Sequence, residues 1–410
     1  MSKEELLAYF SLRVTMGIQP RPCYRDYWSS NEHLRSDVFP KIMSRDRFDH
    51  LTTRLHFSHL EDGEEVPEDR LWKLRPVIDA LNTAFVETLV PDSHISIDES
   101  LWKFRGRLGF VTFNPSKRAR FGLKVYKLSA SIGPSAGYTV LSRIYTGQNR
   151  SDMPASTKVV LDLMEKSGCL GKGYTVYFDS WYCSPTLIHI LQSKRTNAVG
   201  TVRVNRKWMP RDLTVSQRGD VDFRSSKTGM LALQWKDRSV VTMLSTVHTA
   251  QVDENGKPHV IKDYNFGMKG VDVGDQQSSY YHIPRRSRVW YRKIFFFYFD
   301  LVLVNALAVH RTLGGTMTQK DFRLQLAEEL ALEFRARAPA TLIRTGRPPR
   351  SVRCQLQQRE HSVESVPDGR RLRCRWCSAR GVRKTTRTRC SDCFVGLCTY
   401  GCFEAWHAAA

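Results

Sequence analysis

Acidic residues are scarce in this sequence relative to basic ones. The 410 residues include 41 Asp and Glu against 63 Lys and Arg, which gives a net charge of +22 and a pI near 9.7. Since Lys and Arg release condensed counterions from phosphates, a charge of this size favours a polyanionic partner. Two partners stay open at this level, a nucleic acid and an anionic membrane surface.

A long hydrophobic run and a signal-peptide pattern are both lacking. Residues 1–5 are polar. The longest apolar stretch, residues 294–309, is shorter than the ~20 residues that cross a bilayer, and Asp300 and Asn305 interrupt it. We therefore expect this stretch to form a buried helix and the protein to have no membrane partner. Hydrophobic residues make up 41% of the chain, enough for a folded core.

Cysteine is sparse outside one stretch of the chain. Six of the 10 cysteines lie between residues 374 and 402, and the others are scattered. The cluster contains two Cys-x2-Cys pairs, a spacing that favours a metal site over disulfides or free thiols and indicates a reducing compartment. The candidate zinc ligands are Cys374, Cys377, Cys390, Cys393, Cys398, Cys402 and His407.

This cysteine-rich segment has more ligands than one tetrahedral zinc site can use, and two such sites need one ligand more. His361 is the candidate for that place, with an exposed loop histidine as the alternative. The segment has too little core to fold without metal. Its basic side chains suit contacts with DNA ends, whereas a histone-tail reader would need an aromatic cage. The candidate DNA contacts are Arg371, Arg373, Arg375 and Lys384, and the available aromatics are Trp376, Tyr400, Phe403 and Trp406.

Hydrophobic periodicity divides the rest of the chain into helical and strand-rich parts. The order predicted for residues 93–193 is β-β-β-α-β-α, which matches a ribonuclease-H-like core in an α/β protein. The expected segments are a helical segment (1–92), the first part of the core (93–193), a β-rich insertion (194–262), the completion of the core with an acidic block (263–300), a second helical segment (301–340), a basic linker (341–369) and the cysteine-rich zinc domain (370–410).

Two aspartates lie where predicted strands end. Asp98 ends a short apolar segment, and Asp179 follows a longer one at 174–178. If the two strands are parallel neighbours, both carboxylates leave the same edge of the sheet, and a divalent cation would relieve their repulsion. Asp272 and Asp275 are three residues apart at a predicted helix start, so they share a face that could complete the site. Taken singly, each aspartate is more often a helix cap or a turn former.

The sequence around these aspartates resembles that of piggyBac transposases, and the resemblance runs through nearly the whole chain. The resembling segments are the three acidic blocks at 96–107 (SIDESLWKFRGR), 178–184 (FDSWYCS) and 263–276 (DYNFGMKGVDVGDQ), the upstream segments at 26–29 (DYWS) and 43–48 (MSRDRF), and Asn305.

The resemblance implies that Asp98, Asp179 and Asp272 form a catalytic triad, with Asp275 as the family's additional acid. It implies a ribonuclease-H-like catalytic core with a β-rich insertion, flanked by helical DNA-binding or dimerisation segments and followed by a cross-braced zinc domain. The implied activity is cut-and-paste DNA transposition, in which the element is excised through hairpin intermediates and inserted at TTAA.

Chemistry of this kind uses two Mg²⁺ or Mn²⁺ ions, typically ~3.5–4 Å apart, bridged by the carboxylates. One ion activates water and later a 3′-hydroxyl for attack on a phosphodiester, and the other stabilises the leaving oxygen. The nearby Lys103, Arg105 and Arg107 are candidate phosphate contacts, with a solvated basic loop as the alternative.

Four functions stay open at the level of sequence. The first is an active transposase, whose expected partners are double-stranded DNA, as transposon ends and as target, and a second copy of the chain in a homodimer; no small-molecule substrate is expected. The second is a domesticated protein that binds DNA or chromatin without cutting. The others are a ribonuclease-H-like nuclease that does not join strands and a chromatin adaptor that uses the zinc domain alone. Basic runs such as residues 344–353 favour a nuclear location.

Overall fold

A computed structural model of the chain describes residues 1–115, 120–147, 152–284, 287–337 and 361–408. The chain divides into two compact units, Met1–Ala340 and Thr341–Ala410. The part of the predicted basic linker between residues 341 and 360 lies outside the described residues.

The first unit begins with helices. Two of them start at a serine cap, since the Oγ of Ser2 accepts a hydrogen bond from the Glu5 amide at 3.2 Å and the Oγ of Ser44 accepts one from the Arg47 amide at 3.3 Å. The elements are α1 (Lys3–Ile18), a 3-10 helix (Tyr24–Trp28), α2 (Val38–Ile42), α3 (Arg45–Arg54) and α4 (Arg75–Thr88).

A nine-stranded mixed sheet forms the centre of this unit, with α5 (Ala155–Lys166) and α6 (Pro185–Ser193) connecting its parallel strands. The strand order is β2-β3-β1-β5-β6-β9-β8-β7, and β4 pairs with β3. The strands are β1 (His94–Lys103), β2 (Thr112–Phe113), β3 (Phe121–Ala130), β4 (Thr139–Ile144), β5 (Thr175–Phe178), β6 (Asn197–Thr201), β7 (Val221–Ser225), β8 (Leu231–Lys236) and β9 (Val240–Ser245).

The parallel part of the sheet consists of β1, β5 and β6, and the other pairs are antiparallel. Strand β5 is buried along its whole length, as a central parallel strand covered on both faces must be. Apart from the two-residue strand β2, which was not predicted, the order β1-β3-β4-α5-β5-α6 is the predicted one, and the α/β class and the ribonuclease-H-like arrangement are confirmed.

The strands predicted as an insertion at 194–262 extend this same sheet. Strand β6 pairs in parallel with β5, and β9 then pairs with the other edge of β6. Residues 194–262 therefore begin with a strand of the parallel core and continue it outward through β9, β8 and β7. The domain boundaries themselves stay predictions.

The second half of this unit is helical again. Helices α7 (His259–Gly267), α8 (Gly270–Tyr280), α9 (Trp290–Thr312) and α10 (Gln319–Arg337) follow the sheet. By length and composition α9 could cross a membrane, but 67% of its apolar 18-residue window is buried inside the protein. The expectation of a buried helix at 294–309 is confirmed.

Helix α9 is joined to the sheet through its polar residue Asn305, which is 3% exposed. The side-chain carbonyl of Asn305 accepts from the Thr139 amide at 2.8 Å, and its NH₂ group donates to the Thr139 carbonyl at 2.9 Å. Both backbone groups of the first residue of β4 are thus satisfied by one side chain. On the same helix Phe297 stacks on Trp102 of β1, with ring centroids 4.8 Å apart.

A buried ion pair links α9 to α10. Asp300 and Arg323 are each 1% exposed and lie 3.8 Å apart. Asp300 also accepts hydrogen bonds from the Ile283 amide at 3.1 and 3.3 Å, and Arg323 donates to the Tyr281 carbonyl at 2.7 Å. These bonds hold the segment after α8 against the two helices, and α10 packs in turn on α1.

The C-terminal unit is small. Its described residues form two two-stranded sheets, β10 with β13 and β11 with β12, and a core cluster in which three residues are buried, Cys374, Cys390 and Leu397. Two of those three are candidate metal ligands. The elements are β10 (Val363–Ser365), a 3-10 helix (Pro367–Gly369), β11 (Leu372–Arg373), α11 (Arg375–Ala379), β12 (Thr385–Thr386), β13 (Thr388–Cys390) and α12 (Cys402–Ala408).

Replacing Asn305 by Ala should destabilise the first unit by about 2–4 kcal/mol, because it breaks two hydrogen bonds and leaves buried backbone groups unpaired. The measurement is urea unfolding together with hydrogen exchange of the Thr139 amide, which should become faster. Asn265→Ala, on the exposed side of α7, is the matched control and should unfold like the wild type. Equal stability of the Asn305 and Asn265 variants would contradict the assigned role.

Candidate functional site

The parallel pairing of β1 with β5 brings two aspartates together. Ile97 pairs with Phe178 in the register of these strands, and Asp98 and Asp179 are the next residue along each. Neighbouring strands are about 4.8 Å apart, so both half-buried carboxylates emerge at the same level of the sheet. The sequence-based condition that these strands be parallel neighbours is met.

One detail of the prediction for Asp98 is wrong. Asp98 does not end its strand, because β1 runs on to Lys103 while paired with β3, and Asp98 itself lies opposite Lys127. Strand β5 stops at Phe178, so the far part of β1 is paired on one side only. Asp98 therefore lies at the point where the parallel sheet opens, in a strand that stays paired with β3 beyond it.

Helix α8 carries Asp272 in its first turn and packs against β1 and β3. The helix starts close to the sheet because Gly270 has no side chain: a Cβ there would lie 2.6 Å from the Ser96 Oγ and from the Ala130 carbonyl oxygen. The Val271 amide donates to the same Ser96 Oγ at 3.3 Å. The start of α8 is thus attached to β1 two residues before Asp98, and Asp272 is exposed.

Two carboxyl groups at this edge, those of Asp98 and Asp179, have a raised pKa. Burial raises the pKa of Asp98 to about 7, and the charges of Glu99, Asp179 and Asp272 act in the same direction. Burial also raises the pKa of Asp179, with a further contribution from Glu99. Negative charge is therefore concentrated in a half-buried place, where a divalent cation would relieve the repulsion.

Asp275 has other partners than the aspartates. Its Oδ1 accepts from the Lys127 Nζ at 2.6 Å and from the Ser100 Oγ at 2.8 Å. The Lys127 side chain is 2% exposed and the Asp275 side chain 37%. Asp275 thus neutralises a buried lysine of β3, although it shares a helix with Asp272. Its catalytic role stays a prediction.

Glu99 was not selected from the sequence, yet it lies at this site. Its Oε2 accepts from the Tyr182 hydroxyl at 3.0 Å, and its Oε1 lies 3.6 Å from the Lys124 Nζ. That ammonium group also lies 4.2 Å from the Trp181 ring centroid. Adjacent acids in a strand point to opposite faces, so the Asp-Glu pair in the first acidic block is the signal that could have revealed a second acid with its own partners.

The predicted phosphate contacts lie at the end of β1 and just after it. Lys103 is the last residue of β1, and Arg105 and Arg107 are in the loop after it; all three are exposed. At about 3.3 Å per residue, Lys103 lies roughly 17 Å from Asp98 along the strand. That distance suits contacts with DNA beside the reacting phosphate rather than with the phosphate itself, and the DNA role of the three residues stays a prediction.

In the C-terminal unit the structure gathers eight Cys and His side chains into two groups. Within each group the ligand atoms lie within 4.8 Å of one another, and these are the two such groups among the described residues. The donors fit the tetrahedral sulfur and nitrogen sets that zinc prefers. The groups are Cys374, Cys377, Cys398 and Cys402, and His361, Cys390, Cys393 and His407.

The two groups interleave along the chain, which is the cross-braced arrangement expected from the resemblance. His361 comes together with the second group, its Nδ1 lying 3.4 Å from the Cys390 Sγ and 3.5 Å from the Cys393 Sγ. The Nε2 of His407 lies 3.6 Å from the same Cys393 Sγ, while its Nδ1 is 2.7 Å from the Phe403 carbonyl oxygen. Donation to that carbonyl would fix the tautomer and leave Nε2 free to ligate.

The aromatic residues of this unit do not form an open cage. Trp376, Phe403 and Trp406 pack around the cysteine core, and the guanidinium of Arg380 lies 4.5 Å from the Trp376 ring centroid. Tyr400 is 93% exposed. The predicted DNA contacts are also exposed, which favours a polyanion over a methylated lysine as the partner; they are Arg371, Arg373, Arg375 and Lys384.

We expect His361→Ala to lose one of the two zinc ions. The variant site has three protein ligands, and such a site gives up its metal to a chelator more readily than a site with four. The measurement is zinc content by mass spectrometry after dialysis against a chelator. His33→Ala, an exposed histidine in the first unit, is the control and should keep both ions. Retention of both ions in His361→Ala would show that His361 is not a ligand.

Asp275→Ala should destabilise the first unit by about 2–3 kcal/mol, since it leaves the buried Lys127 ammonium without its carboxylate. This figure is below that of a fully buried pair, because the partly exposed Asp275 lets water reach the lysine. Urea unfolding measures the change. The same substitution at the exposed Asp272 should leave the unfolding midpoint unchanged or higher; equal losses for both would contradict the assignment.

Known protein families match each of the two units of this chain. A family described as "Transposase IS4" matches residues 1–307, and one described as "DDE_Tnp_1-like zinc finger" matches residues 356–408. The human PiggyBac transposable element-derived protein 3 is 27% identical over 97% of this chain and 69% of its own length. The human PiggyBac transposable element-derived protein 2 is 26% identical over 76% of this chain and 56% of its own length.

A solved structure shares the fold. The cryo-EM structure of a piggyBac transposase synaptic complex with hairpin DNA matches with a TM-score of 0.75 and 22% identity, over 98% of this chain and 88% of that one. The family match spans most of the first unit, and the zinc-finger match covers both groups of Cys and His ligands. The chain belongs to the piggyBac group of the Transposase IS4 family.

Proposed function

We propose that the chain is a DNA transposase that cuts and joins strands with Asp98, Asp179 and Asp272 as the ligands of two divalent ions, Mg²⁺ or Mn²⁺. The observation that carries the proposal is the β1–β5 register, which sets Asp98 beside Asp179 where the parallel sheet opens. The attachment of α8 to β1 adds the first turn of a helix with a third carboxylate.

When bound, the ions would activate the attacking water or 3′-hydroxyl and stabilise the leaving oxygen of a phosphodiester. The protein supplies carboxylates whose positions are fixed before metal arrives. The Oδ1 of Asp179 accepts from the Trp181 amide at 2.9 Å, and the Oδ1 of Asp98 accepts from the Glu99 amide at 2.8 Å. Each hydrogen bond holds one oxygen and leaves the other able to ligate.

The charge distribution supports DNA as the substrate. The chain carries a net charge of +22, and exposed basic residues lie beyond the aspartates on the loop after β1. We infer that Lys103, Arg105 and Arg107 contact DNA phosphates near the cutting site. In the C-terminal unit Arg371, Arg373, Arg375 and Lys384 would contact transposon ends.

The remaining parts of the proposal come from the family. They are excision through hairpins, insertion at TTAA and action as a homodimer on two DNA ends, whereas the proposed nuclear location rests on basic runs such as residues 344–353. The relative solved with hairpin DNA supports the first. A homodimer follows from the need to handle two ends at once.

The second candidate is a domesticated DNA- or chromatin-binding protein that does not cut. It is favoured by the human relatives, whose names describe them as derived from transposable elements. The presence of all three aspartates in a connected arrangement favours retained chemistry instead.

The test is a metal-dependent excision and joining assay with the terminal repeats that flank the element in its source genome. We expect Asp179→Asn and Asp98→Asn each to lower the cleavage rate by at least about a hundredfold, since each removes a charged ligand that the ions need. The exposed Asp62→Asn is the matched control and should cleave at the wild-type rate.

The outcomes separate the alternatives. Cleavage without joining would identify a nuclease that does not transfer strands. Zinc-dependent DNA binding without cleavage by the wild type would identify the domesticated binder. A function lost on removing residues 371–410 but kept in Asp98→Ala would identify the chromatin adaptor.

A further inference from the structure

A loop that the proposed chemistry leaves unexplained follows strand β6. In residues 203–209, here called the Trp208 loop, the indole of Trp208 is 73% exposed. Its backbone has a φ of +69°, in the left-handed region that bulky residues rarely adopt. Both the solvation of the ring and the backbone conformation disfavour tryptophan at this position. Residues held in such strained conformations concentrate at functional sites.

The loop is attached to the candidate active site. The Nη2 group of Arg206 donates to the carbonyls of Ser180 and Trp181, at 3.1 and 2.7 Å. Those two residues directly follow Asp179. On the other side of the tryptophan, Met209 is 6% exposed and its amide donates to the Arg206 carbonyl at 3.2 Å. The loop thus has fixed ends, and Trp208 lies between them facing solvent.

The surroundings of Trp208 are basic. The Nζ of Lys207 lies 5.0 Å from the Trp208 ring centroid, and Arg203, Lys207 and Arg211 are exposed. The nearby acid Asp212 is already paired with Arg224, at 2.9 Å. An exposed aromatic ring among cations is what proteins use to stack a nucleic-acid base while the phosphates are neutralised. Cations around the ring would not strengthen the binding of a hydrophobic protein partner.

We propose that Trp208 stacks on an unpaired base of the DNA strand next to the phosphate that is cut. The proposal rests on the proposed function, because it needs DNA at Asp98 and Asp179. The backbone from Arg206 to Trp208 spans at most about 7 Å, and the extended side chains of these two residues each add a comparable length. The ring therefore lies within roughly 20 Å of the Ser180 and Trp181 carbonyls, which corresponds to about six bases along a strand at about 3.4 Å per base. Since every base has a π-face, this contact fixes the position of the strand rather than its sequence.

The experiment compares two DNA probes in a background that does not cut. The protein is the full chain with Asp98→Asn. One probe is a duplex of the terminal repeat with a single unpaired 2-aminopurine beside the cleavage position, and the other is the same duplex fully paired. Fluorescence anisotropy gives the affinity for each probe, and the emission of 2-aminopurine reports stacking, which quenches it.

We expect Trp208→Ala to weaken binding of the unpaired probe about 5- to 150-fold, the range that one stacked base contributes. Affinity for the paired probe should change little, and quenching should be lost. Trp208→Tyr should restore both. Phe223→Ala, which removes an exposed aromatic ring on the edge strand β7, is the matched control and should behave like the parent.

A separate variant excludes a folding defect. Trp208→Gly removes the ring and also relieves the backbone strain at positive φ, so it should fold at least as stably as the parent. It should still lose the quenching and the preference for the unpaired probe. Unchanged affinity and quenching in Trp208→Ala and Trp208→Gly, with DNA binding intact, would overturn the role of Trp208 and leave the transposase proposal standing. Failure of the parent chain to bind either probe would overturn both.

Discussion

The pairing of β1 with β5 is the interaction on which the candidate site depends. Parallel strands bring residues from distant parts of the chain to the same edge, and here the register places Asp98 and Asp179 side by side. Strand β1 continues along β3 after β5 has ended, and the basic loop follows the end of β1. The half-buried carboxylates repel one another in the folded chain, and a bound divalent cation would relieve that repulsion.

Helix α9 is the second element on which the arrangement of the sheet depends. It is apolar enough to resemble a membrane span, and its two interrupting polar residues are the ones that attach it. Asn305 bonds both backbone groups of Thr139, and Asp300 pairs with Arg323 of α10. A buried polar group is tolerated when it is fully hydrogen-bonded, and it then specifies one arrangement of its neighbours. The position of the sheet relative to its helices therefore rests on a few polar contacts within a large apolar core.

The C-terminal unit is stabilised in a different way. The core cluster among its described residues has three buried members, so hydrophobic burial there stabilises it little, and its eight candidate ligands alternate between two groups. Metal binding in such a unit supplies free energy of folding. DNA contacts from this unit would therefore depend on zinc, whereas the aspartate edge belongs to a unit with large apolar core clusters.

The sequence by itself determined the order of the helices and strands, the candidate aspartates and the candidate zinc ligands. Hydrophobic periodicity predicted the order, and cysteine spacing predicted the zinc ligands. These features are local, since a strand or a Cys-x2-Cys pair is encoded within a few residues. Only the tertiary structure decided which partner each group meets. In the folded chain Asp275 pairs with Lys127, Glu99 accepts a hydrogen bond from Tyr182, and His361 lies beside Cys390. These contacts join residues far apart in the chain, through strand register and helix packing that no single segment encodes.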